Sequence, residues 1–219
     1  MAVSGFALFL FVVAHLLGNL QIFLGPEQIN RYGHFLQSTP ELLWPARIGL
    51  LVLVLVHIFS AIKLSQENKS ARPVAYQEQR IVAASYASRT MLMSGLIVLA
   101  FIIYHLLHFT AQVQYINLTG QSFVDYMDPQ KRHDVFRMMV VGFRQPIVSV
   151  FYVIGVGLLS LHLIHGVGSM FQSMGWKDKY YGAFLDKSAR VISWLIFLGY
   201  ISIPLAVLSG VVGREVPRP

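Results

Sequence analysis

Five stretches of the chain carry no Asp, Glu, Lys or Arg: residues 1–26, 48–62, 90–124, 145–176 and 191–213. A helix crosses the hydrocarbon of a bilayer with about 20 mainly apolar residues, and four of the stretches are long enough as they stand. The second is shorter. Leu42, Leu43, Trp44 and Pro45 extend it on one side, and Arg47 can reach the interface along its aliphatic stem. We therefore read five transmembrane helices over residues 3–24, 44–64, 90–112, 146–172 and 191–212. Nothing alternates with the period of two that a barrel needs, and in lipid a helix satisfies its own backbone. The expected fold is all-α, a single membrane domain over residues 1–219, with helices 1–4 forming a four-helix bundle.

The first stretch has the length of a signal sequence. It lacks a basic beginning and carries His15, Asn19 and Gln21, so it is read as a retained helix. Between the third and fourth spans, Asp128-Pro129 opens a segment, KRHDVFRMMVVGF, whose mixed character predicts a short helix lying at the interface. Pro146 stands where the fourth span should begin, a position that suits its missing N–H. The remaining connections are read as loops, and no internal repeat is read along the chain.

Composition agrees with this pattern. Hydrophobic residues make up 55% of the chain and charged residues only 12%, with mean hydropathy +0.59. A soluble domain carries about twice that charged fraction and would not expose so much apolar surface to water. The net charge of +7 lies in the loops, which removes the reason to expect nucleic acid. The connections after spans two and four hold nine basic and four acidic residues, a net of +5, against eight and six, a net of +2, on the other side. That bias predicts a multi-pass protein with its N-terminus in the cytoplasm and its C-terminus outside.

Cysteine is absent, which excludes disulfides, thiolate metal sites and cysteine-ligated iron–sulfur clusters from this chain. Eight histidines remain, and five of them, His15, His57, His105, His162 and His165, fall well inside the spans. His108 lies nearer the end of the third. Ionisable groups in hydrocarbon are costly and usually functional, and here each of four successive helices has at least one. His15 and His105 lie about nine and seven residues before the ends of helices that run in the same direction. His57 and His165 lie about seven and eight before the ends of the two opposite helices. Two histidine pairs at two depths result, separated by roughly 10–20 Å at 1.5 Å per residue.

A zinc ion would want four ligands, usually with thiolate or carboxylate among them, and no acid lies at depth. Two imidazoles per site in an apolar bundle suit b-type haem, whose macrocycle supplies the other four nitrogens. Gly18, Gly166 and Gly168 would let a flat group approach the backbone. The expected iron ligands are therefore His15 with His105 and His57 with His165. His108 and His162, each one turn from a ligand, are read as supporting or packing residues. His34 and His133 are read as surface residues of loops.

These residues carry a resemblance. HLLGN at His15, ARIGLLVLVLVHIFSAI around His57, ENKSARPVAY, SRTMLMSGLI leading to YHLLHFT, MVVGF, YVIGVGLLSLHLIHGVGSMFQSMGW and RVISW run in order along nearly the whole chain. Together they resemble the dihaem cytochrome b membrane anchors of succinate dehydrogenases and fumarate reductases, of the single-polypeptide five-helix type. The resemblance implies two haem b groups, a distal one on His15 and His105 and a proximal one on His57 and His165. It implies a flavoprotein subunit carrying FAD and the succinate site, an iron–sulfur subunit, and electron exchange with membrane quinone as the enzyme activity. Some fumarate reductases of this type carry a glutamate two residues before the helix-four ligand; here that residue is Leu163. Succinate oxidation with menaquinone reduction is the direction this favours.

Glu27, Asn30, Arg31, Tyr32 and His34, beside the outer histidine level, are candidates for a quinone site. Ser88 and Arg89, at the start of the third span, are candidates for a haem propionate. Two other readings share parts of the pattern: a dihaem cytochrome b of a hydrogenase or formate dehydrogenase, and a haem-free transporter or assembly protein whose histidines relay protons.

Overall fold

The computed structural model describes residues 1–71 and 91–217. Within them lie seven helices: α1 Ala2–Asn19, α2 Pro26–Gln37, α3 Pro40–Ser70, α4 Met91–His105, α5 Val135–Phe143, α6 Pro146–Ser173 and α7 Gly182–Leu208. A 3-10 turn, Leu20–Leu24, extends α1, and a π turn, Leu106–Thr110, extends α4. With those extensions, α1, α3, α4, α6 and α7 are long and apolar enough to cross a membrane. No strand is formed among the described residues.

The spans match the charge-free stretches, with two informative shifts. α3 continues six residues past the predicted end at Leu64, through the i,i+4 pair of Lys63 and Glu67 at 3.8 Å. α7 starts at Gly182, nine residues early, because its first turns are polar but still helical.

Two short helices depart from expectation. The first connection is not a loop but α2, opened by Pro26 at its first turn with Glu27 beside it. The KRHDVFRMMVVGF segment does form a helix, α5, and it is packed into the protein rather than lying free along its surface. Phe136 and every residue from Met138 to Phe143 are buried, so α5 plugs one end of the bundle. Asp134 caps it by accepting from the Arg137 N–H at 3.0 Å.

In the membrane part, α1, α3, α4 and α6 close a ring in which each packs on its two neighbours, and α7 packs outside against α6. Lipid offers no hydrophobic drive for helix pairing, so small residues that admit close approach carry much of it. Gly155 of α6 receives the Phe101 ring of α4 so closely that a Cβ would run into that ring. Gly199 of α7 receives Leu16 of α1, and Tyr200 donates to the Val12 carbonyl at 2.8 Å.

Candidate functional site

The ring of four helices carries its histidines on facing sides. At the level nearer α5, the rings of His15 on α1 and His105 on α4 lie with centroids 5.7 Å apart and planes at 83°. At the other level, His57 on α3 faces His162 on α6, with centroids 6.4 Å apart and planes at 68°. Two imidazoles sharing one metal ion stand about 6 Å apart, from two bonds of about 2 Å and the two ring radii. Both pairs fall near that spacing.

The first pair is the one expected. The second is not: the ring that meets His57 is His162, and His165 instead bonds Ser169 on its own helix at 3.1 Å. The reason lies in the helix ends. α3 runs to Ser70, which puts His57 thirteen residues before its end. His162 stands eleven residues before Ser173, the end of α6, whereas His165 stands eight before it. Counted from observed ends, His162 lies nearer to the depth of His57.

Hydrogen bonds define the imidazoles of the second level. Ser4 Oγ lies 3.2 Å from His57 Nδ1, and Ser94 Oγ lies 3.3 Å from His162 Nδ1. Among the described residues neither Nε2 takes part in a hydrogen bond, so each ring offers that nitrogen to a ligand. At the first level, Tyr152 of α6 bridges His105 Nδ1 at 3.3 Å and His108 Nδ1 at 3.0 Å. His108, in the π turn that follows His105, is wholly buried, and among the described residues its Nε2 has no partner. It packs against Phe109 and Phe123 beneath α5, with Tyr152 between it and His105.

This donor set fits two bis-imidazole metal centres better than one polydentate ion. Among the described residues no group of three or more His, Asp or Glu side chains gathers around a common point. Two facing imidazoles suit haem iron, which would take only two nitrogens from the chain. The glycines act differently from the expectation. Gly18 receives the Tyr32 ring, and Gly168 faces the Asp186 carboxylate; only Gly166 leaves open space where a Cβ would stand.

The residues proposed for quinone all belong to α2, but two of them are engaged elsewhere. Glu27 pairs with Arg132 at 2.6 Å, and Arg132 pairs also with buried Asp128 at 2.7 Å. The hydrogen bond from Arg132 holds the Glu27 carboxyl below its ordinary range. Burial pushes Asp128 upward, but its bonds from Arg132 outweigh this and leave it lowered too. Asn30 is buried, accepts from the Phe136 N–H at 2.9 Å and donates to Asp134 at 3.0 Å. These two residues clamp α2 onto the plug. Arg31 and His34 remain exposed, with Arg31 donating to Gln28, and Tyr32 lies on Gly18, one turn from His15. His133 is not a surface residue: it is half-buried, bonds Gln112 at 3.0 Å, and burial lowers its pKa. Ser88 and Arg89 lie outside the described residues.

A cavity of about 310 Å³ opens beside α4 and α6, lined by Tyr104, Ile116, Leu118, Ile147, Val148 and Phe151. Its lining is apolar, and the Tyr104 hydroxyl is already given to the Ile116 carbonyl at 3.3 Å. Nothing in it would recognise the polar ring of a quinone.

Sequence reasoning missed Ser4, Ser94 and Tyr152. It also missed a repeat. Ser4-Gly5, nine residues and His15-Leu16-Leu17 recur as Ser94-Gly95, nine residues and His105-Leu106-Leu107. That signal was present in the letters alone, and it corrects the reading of no internal repeat.

Fold and site together define a multi-pass helical membrane protein with two facing histidine pairs. No protein-family model, curated protein or solved structure gives a significant match to the chain.

Proposed function

We propose that the chain is the cytochrome b membrane anchor of a succinate:quinone oxidoreductase, holding two haem b groups between an iron–sulfur subunit and membrane quinone. One observation carries the haem reading: two imidazole pairs, drawn from alternate helices of one ring, at the spacing of two rings on one metal. His15 and His105 would hold the outer group. His57 and His162 would hold the inner one, with His162 taking the place expected for His165. A haem held by two imidazoles there would supply one-electron transfer.

The chain's own residues do the rest. Ser4 and Ser94 orient the inner rings, and Tyr152 orients His105. Tyr32, Arg31 and His34 are the α2 groups available to a quinone ring, since Glu27 and Asn30 are committed to the clamp. The assignment to succinate and menaquinone, to a partner flavoprotein with FAD and to a partner with iron–sulfur clusters rests on the ordered motifs of the sequence. So does the cytoplasmic N-terminus, supported by loop charge.

The test is purification of the native complex, with haem counted by pyridine haemochrome and subunits identified. Two haem b per chain and a co-purifying flavoprotein with succinate:quinone activity are expected. A protein without b-type haem refutes the reading. His162→Ala should lose one haem while His165→Ala keeps both, and the opposite result returns the inner ligand to His165.

A further inference from the structure

The repeated Ser-Gly…His-Leu-Leu unit has a geometric meaning. Eleven residues make three helical turns, so the serine and histidine of each copy share a face and stand about 16 Å apart along the axis. α1 and α4 are the first and third spans and run in the same direction. Each therefore presents His at one level and Ser-Gly at the other. Ser4 meets His57, and Ser94 meets His162.

The hydroxyls are already committed as donors. Ser4 Oγ donates to the Met1 carbonyl at 3.0 Å, and Ser94 Oγ to the Met91 carbonyl at 3.1 Å. A hydroxyl has one proton. Toward the imidazoles each serine therefore acts as acceptor, which puts the ring proton on Nδ1 and the lone pair on Nε2. The neighbouring glycines make room for the ring edge. A Cβ on Gly5 would lie 3.3 Å from His57 Cε1, and one on Gly95 would lie 3.5 Å from His162 Cε1.

We propose that Ser4 and Ser94 are positioning residues for the inner metal centre: they fix Nε2 as the ligating nitrogen of His57 and His162 and set the planes of both rings. This rests on the haem reading above. The duplicated unit thus makes α1 and α4 ligand donors to the outer centre and holders of the inner one. The two levels differ chemically as a result, with serine hydroxyls behind the inner imidazoles and the Tyr152 phenol behind His105.

Outer partners of metal-bound histidine typically change metal affinity by about 10–100-fold when removed. The experiment uses the purified complex with Ser4→Ala, Ser94→Ala, Ser4→Thr and Ser94→Thr. Three readouts are taken: haem transfer to an apo-globin acceptor, the low-spin electron paramagnetic resonance signal of each haem, and each midpoint potential. The inner haem is identified as the one lost in His57→Ala. In both alanine variants it should transfer about 10–100-fold faster, with a displaced resonance signal and potential, while the outer haem keeps all three values. The threonine variants, which retain the hydroxyl, should behave as the wild type. Alanine variants identical to wild type overturn the proposal, as do variants in which both haems change alike. A wild-type complex without haem b defeats the underlying reading instead, and a His57→Ala protein that keeps two haems defeats the ligand assignment.

Discussion

Replacing Asn30 with alanine should destabilise the protein without touching either histidine pair. The side chain is 2% exposed and makes two hydrogen bonds between α2 and α5. Its carbonyl takes the Phe136 N–H, a second-position donor of α5 that the helix itself cannot satisfy. Left buried without an acceptor, that N–H costs about 1–3 kcal/mol. The amide also donates to the Asp134 carboxylate, a charge-assisted bond of about 1.5–3 kcal/mol. The two losses share one side chain and Asp134 can partly relax, so a total of about 3 kcal/mol is the working figure. For a chain of this size each kcal/mol moves the melting temperature by about 2–4 °C, which gives a fall of about 6–12 °C. Thermal unfolding of the detergent-purified protein, followed by circular dichroism, measures it. Arg31→Ala is the control, since its side chain is exposed and bonds only Gln28; it should stay within about 0.5 kcal/mol. Asn30→Asp should not rescue, because it sets a carboxylate against Asp134. An Asn30→Ala protein that melts with the wild type but loses quinone reactivity would refute the clamp and return Asn30 to the quinone site.

Three further outcomes follow from the same geometry. Tyr152→Phe leaves the His108 Nδ1 without its partner in a fully buried position and should cost about 1–3 kcal/mol, read by thermal unfolding. Gly155→Ala forces a methyl into the Phe101 ring and should cost about 1–3 kcal/mol by overpacking, with Gly155→Val worse in the same assay. Glu27 and Asp128 both have lowered pKa values when folded. Their contribution to the clamp is complete above the ordinary carboxylate range near 4 and is lost as acid titrates the folded values below it. A melting profile against pH should therefore fall more steeply there in the wild type than in Arg132→Ala.

The membrane spans were legible because charge is so costly in hydrocarbon that its absence marks them. α2 was hidden for the opposite reason. PEQINRYGHFLQ is polar enough to resemble a connection, and only Ile29 and Asn30 are buried on it. α5 misled through its approach: the charges of KRHD precede the helix, whereas the helix itself, VFRMMVVGF, is apolar nearly all round and so belongs in a core. The choice between His162 and His165 turned on where α3 ends. Lys63 and Glu67 mark the end of the charge-free run but not of the helix, since they pair along it. Ser4 and Ser94 are ordinary helix residues until their partners on other helices are known; only the duplicated spacing set them apart.

Seven of the nine residues of α5 are buried, and Arg137 near its start rests over the Tyr126 ring at 4.3 Å. A helix so enclosed meets water only when its neighbours part. Its amide hydrogens should therefore be among the slowest of the described residues to exchange with deuterium, and their exchange should report the opening of that end of the molecule as one unit.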